Sequence, residues 1–259
     1  HAVHGLDNAE RSFSGLEAEQ AVVTDPLVSL NSGCLGTSIK FSKRIKTCNA
    51  RAGLAAISNP GTELVIWRRA LPSCLQTWFK EIKPSRPSGM RVLVRQGDLR
   101  SAVEPYLDGF GMPAGDMRDL LLGDFDELVS SFASIARSDM VDVRLECISH
   151  NSCWKFHRDF VETRLLTTYC GPATEWVQPI QAERALLEQK SYKGPLERLR
   201  LHDVAIFKGN HAGPESGIVH RSPPIADTDR KRLLLCLNKP SAASPEPRPR
   251  VYDKYALYI

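Results

Sequence analysis

The chain has 259 residues, the size of one domain with attached segments, and its 42% hydrophobic and 25% charged residues are typical of a globular protein. A formal net charge of +4 is too small to indicate nucleic-acid binding, and no apolar run is long enough to span a membrane. Seven cysteines without C-x-x-C spacing predict reduced thiols, and the polar N-terminus predicts no signal peptide, so we expect a cytoplasmic protein.

The N-terminal part of the chain, residues 1–52, has little amphipathic order and is predicted to be a flexible extension. After it, hydrophobic periodicity indicates the first regular elements. In chain order they are a strand over Glu63–Ala70, a helix over Ser73–Lys83, a strand over Met90–Arg95 and a long helix over Met117–Ala136. We therefore expect these N-terminal helices to pack on one sheet of the domain.

Beyond Ser138 the pattern changes from helical to extended, and Val141–Ile148 alternates apolar with polar residues. Further strands are predicted at Arg164–Tyr169, Glu175–Gln178, Leu201–Phe207, Gly217–His220 and Arg232–Leu237, with a short helix at Gln181–Gln189. Short strands separated by Gly and Pro turns favour a sandwich or barrel over residues 53–240. The Pro-rich segment 241–259 is predicted to be an extended, mobile tail.

Two segments of this domain carry the residues of a metal centre. His157-x-Asp159 follows the alternating strand, and His220 comes 63 residues after His157 at the end of another predicted strand. Two imidazoles and one carboxylate on one face of an octahedral ion leave three positions open, which is the arrangement of non-haem Fe(II) oxygenases. Residues two apart on a strand point the same way, so His157 and Asp159 can bind one ion. The pattern predicts a divalent metal, with iron preferred.

Several residues near these segments are candidates for binding a co-substrate or a substrate. Arg232, twelve residues after His220, suits a carboxylate of 2-oxoglutarate, and Lys208 competes with it for that role. Tyr169 is a further candidate for the co-substrate. The candidates for substrate binding are Arg221, Arg164 and Trp176.

The sequence leaves alternatives open at the metal. His202 or His211 could replace His220 as a ligand. Zn(II) is the alternative metal, with a cysteine such as Cys153 completing four ligands in a non-catalytic metal-binding or sensing module. A cupin-like binding domain without redox chemistry is a third possibility.

The chain resembles the bacterial proteins known as domain of unknown function 1826. The resemblance runs through IWRRALP (66–72), FHRDFVETRLLTTYCGPATEWV (156–177), DVAIFKGN (203–210) and GIVHRSPPI with RLLLCLN (217–238), and covers residues 55–240. Ala173 departs from the GPGTEW of relatives, in a turn and not at a ligand. The resemblance implies a bacterial, cytoplasmic protein and no particular activity.

The order of strands, His-x-Asp, distal His and Arg-led strand also resembles the double-stranded β-helix of 2-oxoglutarate-dependent oxygenases. This resemblance implies iron ligands at His157, Asp159 and His220, with Arg232 as the partner of 2-oxoglutarate. The interval of twelve residues from His220 to Arg232 is longer than is usual in those hydroxylases, and this departure concerns the co-substrate and not the metal ligands. The predicted activity is hydroxylation of a small-molecule or protein substrate that the sequence does not identify.

Overall fold

The computed structural model describes residues 44–82 and 89–247 of the chain. The predictions for residues 1–43 and 248–259 fall outside this part. These described residues form ten strands: β1 (Ile45–Cys48), β2 (Leu64–Trp67), β3 (Gly89–Arg95), β4 (Met140–Ile148), β5 (Thr163–Cys170), β6 (Glu175–Trp176), β7 (Glu197–Arg198), β8 (Val204–Lys208), β9 (His220–Arg221) and β10 (Arg232–Asn238). The α-helices within the same ranges are α1 (Ser73–Glu81), α2 (Leu99–Leu107), α3 (Asp116–Ala136) and α4 (Ala182–Glu188).

The strands form two sheets whose order identifies the fold. The larger sheet has the order β1-β2-β8-β5-β10-β4-β3, and the smaller has the order β7-β6-β9. A bridge between His157 and His220 adds the segment after β4 to the free side of β9. From β4 onward the chain passes from one sheet to the other and back, and all of these pairings are antiparallel. This winding is the double-stranded β-helix.

The two faces of the larger sheet have different roles. One face packs against the helices, because the apolar residues of α3 at spacings of three and four form a stripe that meets the sheet. Phe125 and Phe132 of α3 share this core with Val143 of β4. The other face packs on the smaller sheet, with Leu166 and Trp176 in the core between them. Alternation along each strand therefore decides whether a side chain lies among the helices or between the sheets.

The helices and strands differ in places from those expected from the sequence. The strand β1 lies within the segment predicted as a flexible extension and pairs in parallel with β2. The helix α2 was not predicted, since Pro105 interrupts its pattern, and neither was the two-residue strand β7. The helices are not confined to the N-terminal part, because α4 lies between β6 and β7. Within the described ranges, no helix combines the length and the apolar character needed to cross a membrane.

Candidate metal centre

The two predicted histidine ligands are direct neighbours in the structure. The backbone of His157 both donates to and accepts from the backbone of His220, at 3.1 Å in each direction. The two residues therefore form a hydrogen-bonded antiparallel pair, whose side chains project to the same side of the sheet. Their ring centroids lie 4.6 Å apart. Strand pairing thus brings together two imidazoles that are 63 residues apart in the chain.

The carboxylate of Asp159 completes the group. Nε2 of His157 lies 3.4 Å from Oδ1 of Asp159, and Nε2 of His220 lies 3.4 Å from Oδ2. One donor atom from each residue falls within 4.8 Å of the others, and within the described residues this is the one such group that could hold a metal ion. The set of two imidazoles and one carboxylate matches the facial triad.

Backbone carbonyls fix the orientation of both imidazoles. Nδ1 of His157 lies 2.7 Å from the carbonyl oxygen of Lys155, and Nδ1 of His220 lies 3.1 Å from that of Ile218. A carbonyl only accepts hydrogen bonds, so each Nδ1 carries a proton, and in the neutral imidazole each Nε2 presents a lone pair to the centre. This outer hydrogen bond is the usual way in which proteins orient a metal-binding histidine.

Asp159 is charged and lacks a hydrogen-bond partner for one oxygen. Burial favours its neutral form, but contact with His157 and the charges of His220 and Arg164 outweigh it and lower the pKa of Asp159 to about 2. Its Oδ2 is buried and accepts no hydrogen bond, although it forms an ion pair with Arg164. A buried, charged carboxylate whose two oxygens each lie beside an imidazole is the environment that a bound cation satisfies. The residues present therefore fit a divalent metal.

The two histidines differ in their preference for a proton. Burial lowers the pKa of His220 to about 4, so this imidazole is neutral and ready to bind a metal. Burial also opposes the charging of His157, but its contact with Asp159 and the carbonyl of Lys155 raise its pKa above the ordinary value. A metal at this centre displaces a proton chiefly from His157.

A neighbouring turn supports the loop that carries Asp159. The amide of Asn210 donates to the carbonyl of Asp159 at 2.9 Å, and the amide of Gly209 donates to that of Glu162 at 3.1 Å. A Cβ atom on Gly209 would lie 2.2 Å from the carbonyl oxygen of Val161, so only glycine permits this close approach. The segment after β8 thus fixes the position of the carboxylate ligand.

A cavity between the two sheets connects the triad with Arg232. Its lining includes both histidine ligands and the following residues: Arg144, Glu146, Ile148, Ser152, Cys153, Arg164, Leu166, Thr174, Ser222, Arg232, Leu234 and Cys236. Four of these side chains are charged. The cavity therefore offers a polar chamber next to the candidate metal centre.

Arg232 is buried in this cavity, and no acidic residue of the described ranges pairs with it. Its side chain is among the largest that are fully buried, with 1% of the residue exposed. The guanidinium donates to the hydroxyl groups of Ser222 at 2.5 Å, Thr174, and Thr168 at 3.4 Å. Its Nε has no partner in the described part of the chain. Burial lowers the pKa of Arg232, which reflects the cost of a charge removed from water. A site of this kind is suited to a carboxylate.

Two of the three residues predicted to bind the co-substrate lie elsewhere. Tyr169 faces the helices, where its ring packs against Phe79 and Phe125 and its hydroxyl donates to Asp124. It is on this face because it is an odd number of residues from Arg164, which faces the cavity. Lys208 extends toward the surface, with its Nζ 3.4 Å from the carbonyl of Asn59. Of the three, the structure places only Arg232 in the cavity.

The residues predicted to bind substrate are also divided. Arg221 follows His220 in β9 and so points away from the cavity, where it donates to Glu175 at 2.7 Å and lies over the ring of Phe156. Trp176 pairs with His220 across the smaller sheet and packs in the core between the sheets. Arg164 lines the cavity, but its guanidinium already contacts Asp159.

The alternative ligands do not join the triad. His202 is buried, and its Nε2 contacts the carbonyl of Tyr169 at 3.2 Å. His211 is exposed beside the ring of Phe160. Cys153 lines the cavity but does not belong to the group of donor atoms around Asp159. Zn(II) with four protein ligands therefore has no support in the described part of the chain.

Sequence reasoning missed the polar residues around the arginines. Ser222, Thr168 and Thr174 surround Arg232, and Asn238 accepts a hydrogen bond from Arg164. Only Thr168 had a signal in the sequence, since it is an even number of residues from Arg164 on the same strand and so shares its face.

Comparison with known proteins places the chain in a family. Residues 49–238 match the family described as "Protein of unknown function (DUF1826)". The chain belongs to this family. In this member of DUF1826, the matched segment includes the whole triad and Arg232. No curated protein matches the sequence.

Solved structures resemble the chain at low identity. A dioxygenase for auxin oxidation in rice is 11% identical, covering 73% of this chain and 75% of its own, with a TM-score of 0.41. A prolyl-4-hydroxylase from Pseudomonas putida is 11% identical over 73% of this chain and 100% of its own, with a TM-score of 0.37. HygX from Streptomyces hygroscopicus, solved with nickel and 2-oxoglutarate bound, is 12% identical over 70% of this chain and 84% of its own, with a TM-score of 0.39. At such scores the likeness bears on neither the substrate nor the cofactor of this chain, and the fold is identified by its own strand order.

Proposed function

We propose that this protein is a non-haem Fe(II) oxygenase that uses 2-oxoglutarate to hydroxylate a small-molecule or protein substrate. The observation that carries the proposal is one cavity that joins a His-Asp-His group to a buried arginine with no acidic partner among the residues that the structure describes. The two ends of the cavity suit opposite charges. The triad suits a cation with open coordination positions, and Arg232 suits an anion. A chelating acid with a second, distal carboxylate meets both requirements at once.

The residues of the chain would hold the metal through fixed imidazoles. His157, Asp159 and His220 would bind it, since both Nε2 atoms face the carboxylate and both Nδ1 atoms are bound to backbone carbonyls. When bound, Fe(II) supplies the capacity to activate dioxygen together with a chelating acid. The protein supplies orientation, because three ligands on one face leave the opposite face to the reactants.

Arg232 would orient the acid within the cavity. Its guanidinium is fixed by hydroxyl groups of Ser222, Thr174 and Thr168, none of which neutralises it. A carboxylate that replaces one of these contacts forms a charge-assisted pair in a site shielded from water. The neighbouring side chains Leu166 and Leu234 would exclude water from the chain of the acid.

A metal assay and a co-substrate assay test the two halves of the proposal. Protein purified without added metal should contain iron or take up one Fe(II), and His157→Ala should abolish this uptake. Adding 2-oxoglutarate to the Fe(II) protein without oxygen should produce a visible charge-transfer band, and succinate should form when oxygen is admitted. A chain that binds Fe(II) but gives neither band nor succinate would contradict the use of 2-oxoglutarate, and tightly bound zinc would favour a metal-binding module.

A further inference from the structure

Arg164 connects the metal centre with the larger sheet. It lies near the start of β5, directly opposite Asn238 of β10. Its Nε donates to Oδ1 of Asn238 at 2.8 Å, and its Nη1 lies 2.7 Å from Oδ2 of Asp159. The guanidinium therefore has two contacts: Nε is bound to the sheet at Asn238, and Nη1 is paired with the ligand Asp159. A planar group fixed in this way defines the direction of the carboxylate that it faces.

We propose that Arg164, anchored by Asn238, is a positioning residue that holds Asp159 so that its carboxylate offers one oxygen to the metal. The inference rests on the metal centre of the proposed function. Arg164 is thereby reassigned from substrate binding, because its guanidinium is committed to Asp159 and Asn238. The loop carrying Asp159 has its own backbone support from Asn210, so Arg164 acts on the direction of the side chain.

The number of oxygens that Asp159 offers decides how many positions stay open. Two imidazoles and one carboxylate oxygen leave three of six octahedral positions, and a bidentate carboxylate would leave two. A chelating acid occupies two positions by itself, so the third is needed for any further reactant. The ion pair of Arg164 with Oδ2 competes with the metal for that oxygen, which favours one-oxygen binding.

The charge of Arg164 and its positioning role predict opposite effects on metal affinity. A guanidinium beside the centre repels a divalent cation, so charge alone predicts that removing Arg164 tightens metal binding. Positioning predicts that removing it weakens binding, because Asp159 loses its fixed direction. Loss of an outer partner of a metal ligand typically weakens metal binding about 10–100-fold. Whether metal affinity rises or falls when Arg164 is removed therefore distinguishes charge repulsion from positioning.

The experiment is an anaerobic titration with Co(II), followed by its visible absorption, in the full-length chain. Arg164→Gln should bind Co(II) about 10–100-fold more weakly than the parent. Asn238→Ala should weaken binding in the same direction but less, because it removes only the anchor of Arg164. The matched control is Arg144→Gln, which removes a guanidinium from the same cavity where it is paired with Glu146 at 2.6 Å. This control should bind Co(II) like the parent.

A spectroscopic readout separates positioning from general loss of structure. At saturating Co(II), the absorption of Arg164→Gln should differ in shape from that of the parent, since a second carboxylate oxygen can now reach the metal, whereas Arg144→Gln should match the parent. Equal or tighter binding by Arg164→Gln, with the parent spectrum, would overturn the inference and leave the proposed function intact. If the parent binds no Co(II), or if His157→Ala binds it equally well, the metal centre and this inference both fail. Asn238→Ala provides the same comparison should Arg164→Gln not fold.

Discussion

Replacing Arg232 by methionine separates a role in folding from a role in binding. Arg232 is 1% exposed, and its guanidinium has no acidic partner among the described residues. Exchanging a buried charge that lacks an acidic partner for an apolar group of similar size relieves a desolvation cost of several kcal/mol. The lost hydrogen bonds to Ser222, Thr174 and Thr168 oppose this gain, each by about 1.5–3 kcal/mol. Three such bonds match or exceed the relieved cost, so we expect the ligand-free variant to lose no more than about 4 kcal/mol of its free energy of unfolding.

The effect on co-substrate binding should be much larger. Two charge-assisted hydrogen bonds to a carboxylate are together worth at least about 3 kcal/mol, which corresponds to roughly 100-fold in affinity. At a 2-oxoglutarate concentration of 100 times the parent Kd, the parent gains about 2.7 kcal/mol of stability. The variant, with a Kd roughly 100-fold higher, gains only about 0.4 kcal/mol at the same concentration.

Urea unfolding of the Mn(II)-loaded protein, with and without 2-oxoglutarate, measures both quantities. Lys208→Met is the matched control. Lys208 was the other cation predicted to bind a carboxylate of 2-oxoglutarate, and it lies outside the cavity. It should keep the full stabilisation by 2-oxoglutarate. An Arg232→Met variant that retains this stabilisation, or a Lys208→Met variant that loses it, would refute the assignment of the carboxylate site.

Three further predictions concern the support of the site and the stability of the fold. In Gly209→Ala the added Cβ would lie 2.6 Å from the carbonyl oxygen of Asp159, so the ligand loop must shift and metal affinity should fall about tenfold by Co(II) titration. Gly123→Ala, in α3 with no atom within 4 Å of the new Cβ, should raise the free energy of unfolding by about 0.5–1 kcal/mol without changing metal affinity. Burial lowers the pKa of His202 below its ordinary value, so the imidazole takes up a proton more readily in the unfolded chain than in the folded one. The folding stability that this difference contributes is present above about pH 6.5 and is lost as the pH falls toward the folded pKa. His202→Asn, which tolerates the left-handed φ of 73°, should lose less stability than the metal-free parent between about pH 7 and pH 5 in urea unfolding, and an equal loss would contradict this role.

The triad could be predicted from the sequence because metal binding requires particular residue types, here two histidines and one aspartate. His157 and Asp159 follow a strand with strict alternation, and β4 spans Met140–Ile148 where Val141–Ile148 was expected. The distal His220 begins β9 where a strand end was predicted. Arg232 opens β10 as expected. The residue types of the ligands, the succession of strands along the chain and a charged residue at a strand start can all be recognised in a single sequence.

At two places, the alternation of side chains along a strand decides which of two predicted site residues can face the cavity. Arg164 and Tyr169 lie five residues apart on β5, so one faces the cavity and the other faces the helices. His220 and Arg221 are neighbours on β9, so the residue after a ligand points to the opposite face. In both pairs only one residue can line the site. The rule that predicted the strands was therefore sufficient to exclude Tyr169 and Arg221.

The rest of the site depends on contacts that a single sequence does not contain. The choice between Arg232 and Lys208 rests on which strand lies beside which, and the strand order of the larger sheet places β10 between β5 and β4. Asn238 meets Arg164 only because β10 and β5 are paired in the observed register. A shift between Leu233 and Leu234 in that pairing changes the register within the strand. No local pattern predicts such a shift.

The arginines of the cavity differ in charge balance, and this difference assigns their roles. Arg144 is paired with Glu146, and Arg164 is paired with Asp159. Arg232 alone among them has hydroxyl partners instead of a carboxylate. With a divalent cation at the triad, the unbalanced charge of the cavity is that of the ion and of Arg232, and burial makes such an excess costly. A neutral occupant would leave this excess in place, whereas a dicarboxylate with one end on the metal and the other on Arg232 removes most of it. The same two charges that select a dianion also fix its direction, because a single-headed acid can satisfy only one of them.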